Sequence, residues 1–161
     1  MTTLGVENGY QYIWVEAEGR NEQTSTSCYT FLEGDRFYSI STATTPTTEM
    51  KMLRLGANDP DYNLRPEGAY MLRQKATNHT FVSTIESHGV YNLQVEKTAN
   101  AKASVTEVVV LIDNAEYTVV RVDFVGGQSR TYCFANEQTE GKHKVKVDGK
   151  TYTWEGAISV K

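Results

Sequence analysis

No apolar run in the sequence approaches the ~20 residues needed to span a bilayer, so no membrane-crossing helix is expected. An excess of positive charge is also missing. Sixteen basic and 20 acidic residues are spread along 161 positions and leave a net charge of −4. That excludes the basic field that neutralises phosphates, and nucleic acid is not an expected partner. Cysteine is scarce: Cys28 and Cys133 each lie in an apolar-alternating segment, with no second Cys or His at ligand spacing. Both are expected as small buried hydrophobes. A disulfide would require their strands to meet, and no metal site or cofactor is expected. The opening MTTLGVENG lacks the charged-then-apolar pattern of a signal peptide. Also absent is any apolar i, i+3, i+4, i+7 stripe sustained over three turns, which argues against amphipathic helices.

What the chain has instead is alternation with period two. Candidate strands are Tyr10–Glu18, Ser27–Leu32, Arg36–Thr42, Glu49–Leu55, Ala69–Ala76, Thr80–Glu86, Ser104–Ile112, Glu116–Phe124, Thr131–Ala135, Lys142–Val147 and Lys150–Trp154, with a short run near Ile158–Val160. They are rich in the β-branched and aromatic residues that fit a pleated surface. The spacing predicts an all-β chain, an antiparallel β-sandwich of about ten to twelve short strands. The length fits one well-buried core, so residues 1–161 are expected as a single domain.

Turn residues fall between the runs at Glu33-Gly34-Asp35, Asp113-Asn114, Gly126-Gly127 and Asp148-Gly149. The clearest hairpin is KHKVKVDGKTYTWEG, where Asp148-Gly149 can adopt the positive φ of a type I′ turn. Ser39–Thr48 (SISTATTPTT) is threonine-rich around Pro46 and reads as an exposed loop or sheet edge.

Two segments break the pattern. RLGANDPDYNLR, residues 54–65, is rich in Asn and Asp and reads as a structured loop. Either it is a self-satisfied turn cluster, or Arg54 or Arg65 faces an anionic ligand, since guanidinium pairs bidentately with carboxylate. TFVSTIESHGVYN, residues 80–92, begins with apolar Phe81, Val82 and Ile85 and then places Glu86, His88 and Tyr91 around Gly89. Glu86 and His88 share one side of an extended chain, as a general acid–base pair requires. An equally physical reading is a solvated charge beside a turn histidine. Of the seventeen aromatic residues, Tyr10, Tyr12 and Trp14 alternate on one strand face and are expected to be buried. Tyr62 and Tyr91 stand in loop contexts suited to ligand contact. Asn78-His79-Thr80 matches a glycosylation acceptor.

The order Gly9-Tyr10-Gln11-Tyr12-Ile13-Trp14-Val15-Glu16-Ala17, Gly34-Asp35-Arg36-Phe37-Tyr38-Ser39, the loop at 54–65, and Ile85-Glu86-Ser87-His88-Gly89-Val90-Tyr91 resembles the C-terminal part of heparinase II/III-like polysaccharide lyases. The likeness is greatest to the oligoalginate lyases of polysaccharide lyase family 17, and it runs from about Leu4 to about Trp154. The resemblance implies a larger, periplasmic or secreted bacterial parent in which a helical toroid precedes a layered β region. Such a parent cleaves a uronic-acid polymer by β-elimination. It further implies that the main catalytic groups come from segments without a counterpart here. Glu86 and His88 would then border the substrate, joined by the loop tyrosines Tyr62 and Tyr91; Asn63 and Arg65 match the family's Asn-Leu-Arg, either as substrate contacts or as a loop pinned to neighbouring strands. Ser87 departs from the proline usual in the family's Ile-Glu-Pro-His-Gly pattern.

Three readings stand side by side: a lyase β domain that packs against a toroid and binds an acidic polysaccharide, a carbohydrate-binding module using Tyr62, Tyr91, Arg65 and His88, and a structural domain with no ligand. A contiguous exposed apolar face would favour the first. A row of exposed aromatics beside an arginine would favour the second.

Overall fold

The computed structural model describes residues 13–22, 24–55 and 67–161. Among these, every regular element is a strand, fourteen in all, and no helix is long and apolar enough to cross a membrane. The expected Tyr10 and Tyr12, the Trp14 side chain, and the loop bearing Tyr62, Asn63 and Arg65 lie outside the described residues. The chain divides into two compact units, Met1–Thr24 with Thr44–Thr77, and Ser25–Ala43 with Asn78–Lys161.

The first unit contains β1 (Ile13–Arg20), β4 (Glu49–Leu55) and β5 (Glu67–Arg73) in an antiparallel sheet of order β1-β4-β5. Val15 lies opposite Leu53 across the β1–β4 ladder, and both are buried. A bulge between Val15 and Ala17 shifts the register by one residue, which re-aims the side chains beyond it. The threonine-rich segment ahead of β4 is more embedded than its composition predicts. Thr44 and Thr48 are buried, and the Thr45 and Thr48 hydroxyls both donate to the side-chain Oε1 of Gln74 at 3.0 and 2.7 Å.

The second unit is an antiparallel sandwich. Its middle sheet has the order β14-β11-β10-β9, built from β9 (Val105–Asp113), β10 (Tyr117–Phe124), β11 (Ser129–Ala135) and β14 (Ile158–Val160). Successive residues of a strand point to opposite faces, so β10 serves two cores. Val119 and its cross-strand partner Cys133 pack with Val147, Tyr152 and Trp154 of the hairpin β12 (Lys142–Val147) and β13 (Lys150–Glu155). Val120 and Val122, with Val108, form the second cluster, against which Ala43 and Val82 pack. On that side lies the sheet β2-β3-β6, made of β2 (Thr26–Glu33), β3 (Arg36–Ala43) and β6 (Ser83–His88). A small hairpin, β7 (Val90–Asn92) with β8 (Lys97–Ala99), completes the unit.

The turns follow from their residues. Asp148 and Gly149 both have positive φ, 48° and 80°, as a type I′ turn requires, and the hairpin register closes on Val147 and Lys150. One sequence expectation fails here. Cys28 is exposed, because β2 is an edge strand of its sheet and the base rate for buried cysteine does not extend to an edge. Cys133 is buried as expected, and both thiols are free. Phe81 and Ile85 are exposed, Ile85 at 72%, because alternation identifies two faces without telling which one is covered.

Candidate functional site

The end of β6 gathers most of the described candidate residues. In the β3–β6 ladder Glu86 lies opposite Ser39 and His88 opposite Phe37, so both side chains project from the same face, as alternation predicts. They do not pair with each other. Glu86 Oε1 accepts the backbone N–H groups of Ser104 and Val105 at 2.7 and 3.2 Å, and Oε2 accepts the Ser104 hydroxyl at 2.6 Å. The carboxylate thus ties the entry of β9 to β6 through charge-assisted bonds, which are about twice as strong as neutral ones.

His88 is held at both ring nitrogens. Nδ1 lies 3.1 Å from the Asn100 carbonyl oxygen, and Nε2 lies 2.8 Å from Ser39 Oγ. A carbonyl can only accept, so Nδ1 carries the proton, and in the neutral ring Nε2 accepts from the Ser39 hydroxyl. Ser39 Oγ then accepts from Thr30 Oγ1 at 2.6 Å, which gives a directed chain Thr30–Ser39–His88–Asn100. Ser39 is buried, and the His88 ring stacks on Phe37 at 6.1 Å between centroids.

Gly89 makes the approach of Asn100 possible. It has φ 57°, and a Cβ there would collide with the carbonyls of Ala99 and Asn100. Beyond it, Tyr91 is anchored by its backbone N–H to the Asp35 carbonyl at 2.8 Å. Its half-buried phenol makes no hydrogen bond among the described residues. The segment therefore contains a glutamate and a histidine with every polar atom engaged inside the fold, followed by a tyrosine whose hydroxyl is available.

Sequence reasoning missed two further features. The opposite face of β2 and β3 carries a ladder of stacked rings, Tyr29 with Phe31 at 5.8 Å and Phe31 with Tyr38 at 5.5 Å, on the face that also bears exposed Ile85. The signal was present in the two-residue turn Gly34-Asp35, which sets Phe31 opposite Tyr38. In the first unit, a cavity of about 590 Å³ is lined by Arg20, Thr47, Glu49, Arg73, Gln74 and Lys75. Its charges are largely matched: Glu49 lies 3.2 Å from Arg20 and 3.7 Å from Arg73. Nearby, Lys51 hydrogen-bonds Glu18 at 2.8 Å; that bond, then the lysine charge, holds the Glu18 carboxyl below its usual range.

Two further arginines are paired in the same way. Arg54 forms an ion pair with Glu16 rather than standing free for a ligand. Arg121 bridges Asp123 at 3.0 Å and Glu107 at 3.3 Å. Burial opposes the Arg121 charge, but Asp123 and then Glu107 outweigh it and hold the guanidinium above its ordinary value. Among the described residues, no group of three or more His, Cys, Asp or Glu is arranged to hold a metal ion.

No family model matches the chain. It is related to alginate lyases over nearly its whole length. It is 36% identical over 165 residues to an exo-oligoalginate lyase of Saccharophagus degradans, covering 99% of this chain and 22% of that protein. It is 32% identical over 156 residues to an alginate lyase of Stenotrophomonas maltophilia, covering 96% of this chain and 21% of that protein. The chain thus spans about a fifth of the length of these curated relatives.

Proposed function

We propose that residues 1–161 form a β domain of a larger alginate lyase of the heparinase II/III-like type, one that borders the substrate cleft without supplying the catalytic base. The observation that carries this is the alignment of nearly the entire chain with a fifth of two alginate lyases. β-Elimination of a uronate requires three things around one sugar: neutralisation of the carboxylate, a base aimed at C5, and an acid for the departing O4. In the described part of the candidate site both ring nitrogens of His88 and both oxygens of Glu86 already have partners. Their role in this reading is positional. They fix the segment from Gly89 to Val105 and hold Tyr91 in place, whose hydroxyl is the described group suited to bond a sugar. Tyr62, Asn63 and Arg65 are kept in this reading as further substrate contacts.

The exposed Ile85 and the stacked Tyr29, Phe31 and Tyr38 support packing of this sheet face against another part of the parent, the helical toroid in this reading. The same stacked rings favour the second reading, a carbohydrate-binding module, because sugar faces stack on aromatic rings.

The test is to add oligoalginate to the purified chain and follow the absorbance of the unsaturated product, with a parallel calorimetric titration. The expected result is no turnover. Product formation would overturn the assignment of catalysis to other parts of the parent. Heat of binding without product, abolished by changing Tyr29 and Phe31 to Ala, would move the chain to the module reading.

A further inference from the structure

The chain carries a net negative charge, yet Lys142, Lys144, Lys146 and Lys150, four of its sixteen basic residues, fall within nine positions. Three of them share one surface. In the β12–β13 hairpin the inward residues His143, Val147, Tyr152 and Trp154 are buried, so alternation sends Lys142, Lys144 and Lys146 to the opposite, exposed face. Across the ladder Lys144 faces Thr153 and Lys146 faces Thr151, and both threonines are exposed. None of the three ammonium groups forms an ion pair among the described residues, in contrast to Arg20, Lys51, Arg54 and Arg121. Glu155 opposes Lys142 in register at one end without closing a salt bridge.

We propose that this outer face of β12–β13 is a contact surface for an anionic polysaccharide, a 1,4-linked polyuronate chain lying along the strand. Alternate strand residues root the three lysine stems about 6.8 Å apart along the backbone. A polyuronate presents one carboxylate per ring, and the four-carbon lysine stem is flexible enough to adjust to that repeat. Thr151 and Thr153 supply hydroxyls that donate to and accept from ring hydroxyls. The surface is preorganised because its reverse side is nailed into the core by Trp154 and Tyr152. Charge complementarity selects an anionic chain. The absence of an aromatic or arginine side chain from this face, which bears Lys142, Lys144, Lys146, Thr151, Thr153 and Glu155, disfavours single-stranded nucleic acid, whose bases need a stacking platform. The proposal rests on the alginate-lyase reading and adds a second contact region, apart from Tyr91.

The experiment is calorimetric titration of the full chain, and of the triple variant K142Q/K144Q/K146Q, with oligoalginate, a neutral glucan of equal length and a DNA duplex. Thermal melting establishes that the variant retains the wild-type midpoint. The expected result is oligoalginate binding at low salt, weakened about tenfold in the variant, equivalent to about 1.4 kcal/mol. Raising salt from about 20 to about 200 mM should weaken the wild type as well. Equal oligoalginate binding by both proteins would overturn the lysine surface and leave the lyase-domain reading intact. Binding of the neutral glucan with no salt dependence, or of the duplex as tightly as oligoalginate, would overturn the polyuronate assignment. A wild-type chain that binds no oligoalginate at low salt would overturn the surface outright, and the parent's activity would then decide the lyase reading.

Discussion

His88 donates from Nδ1 to the Asn100 carbonyl across 3.1 Å, and the glycine that follows it leaves room for that carbonyl. The two residues close the loop after β6 onto the strand itself. Replacing Gly89 with Ala places a Cβ against two carbonyls and in a left-handed conformation. We expect Gly89→Ala to cost about 3 kcal/mol. Urea unfolding followed by tryptophan fluorescence measures it, and a loss under about 1 kcal/mol would refute the close approach.

Glu86→Gln keeps the side-chain shape, removes the charge and turns one acceptor into a donor facing the Ser104 hydroxyl. The expected loss is about 1–2 kcal/mol, the scale of a hydrogen bond to a charged group. In the proposed positional role the damage should appear as faster amide exchange at Ser104 and Val105. Unchanged protection at both amides would contradict it.

Trp154 sits against His143 and Tyr117, with ring centroids at 5.1 and 5.4 Å, and is buried beneath the hairpin. Trp154→Ala should cost about 3–5 kcal/mol. His143 is 5% exposed and its Nε2 has no partner among the described residues, so His143→Phe should be tolerated far better, since it removes an unsatisfied polar atom. Denaturant midpoints of the two variants provide the comparison.

The two thiols should differ in chemistry. Cys28 should react rapidly with a thiol reagent in the folded chain, and Cys133 only after unfolding. Burial pushes the Cys133 thiol up, with Lys161 partly offsetting it. A group whose folded value is raised favours the fold at lower pH. Its contribution is complete below the unfolded thiol value of about 8.5 and is lost as pH rises through the folded one. Cys133→Ala should therefore flatten the alkaline fall in stability, as read from melting midpoints across that range.

Glu18 has the opposite sign. Its lowered value, caused first by the Lys51 hydrogen bond and then by its charge, stabilises the first unit above the ordinary glutamate range. That contribution is lost as pH falls through the folded value. Lys51→Gln should move the Glu18 carboxyl titration upward, measurable by carbon NMR of the side chain.

Much of this architecture is legible in the sequence. The runs Glu49–Leu55, Lys142–Val147 and Ile158–Val160 match β4, β12 and β14 to the residue, because alternation there is bounded by strong turn residues. β7 and β8 leave no such mark, since neither Val90-Tyr91-Asn92 nor Lys97-Thr98-Ala99 alternates apolar with polar residues. For the candidate site, the shared side of Glu86 and His88 follows from spacing alone. Their partners do not: Asn100 and Ser104 are engaged largely through backbone atoms, which leave no residue-type signature twelve to eighteen positions downstream.

The placement of Val119 and Val120 on opposite sides of one strand has a dynamic consequence. Neither hydrophobic cluster can come apart without freeing one wall of β10, and both ladders of that strand, to β9 and β11, must open before its amides meet water. The backbone amide protons of β10 should therefore be the last in the second unit to exchange with deuterated solvent, marking the seam along which its local openings merge into global unfolding.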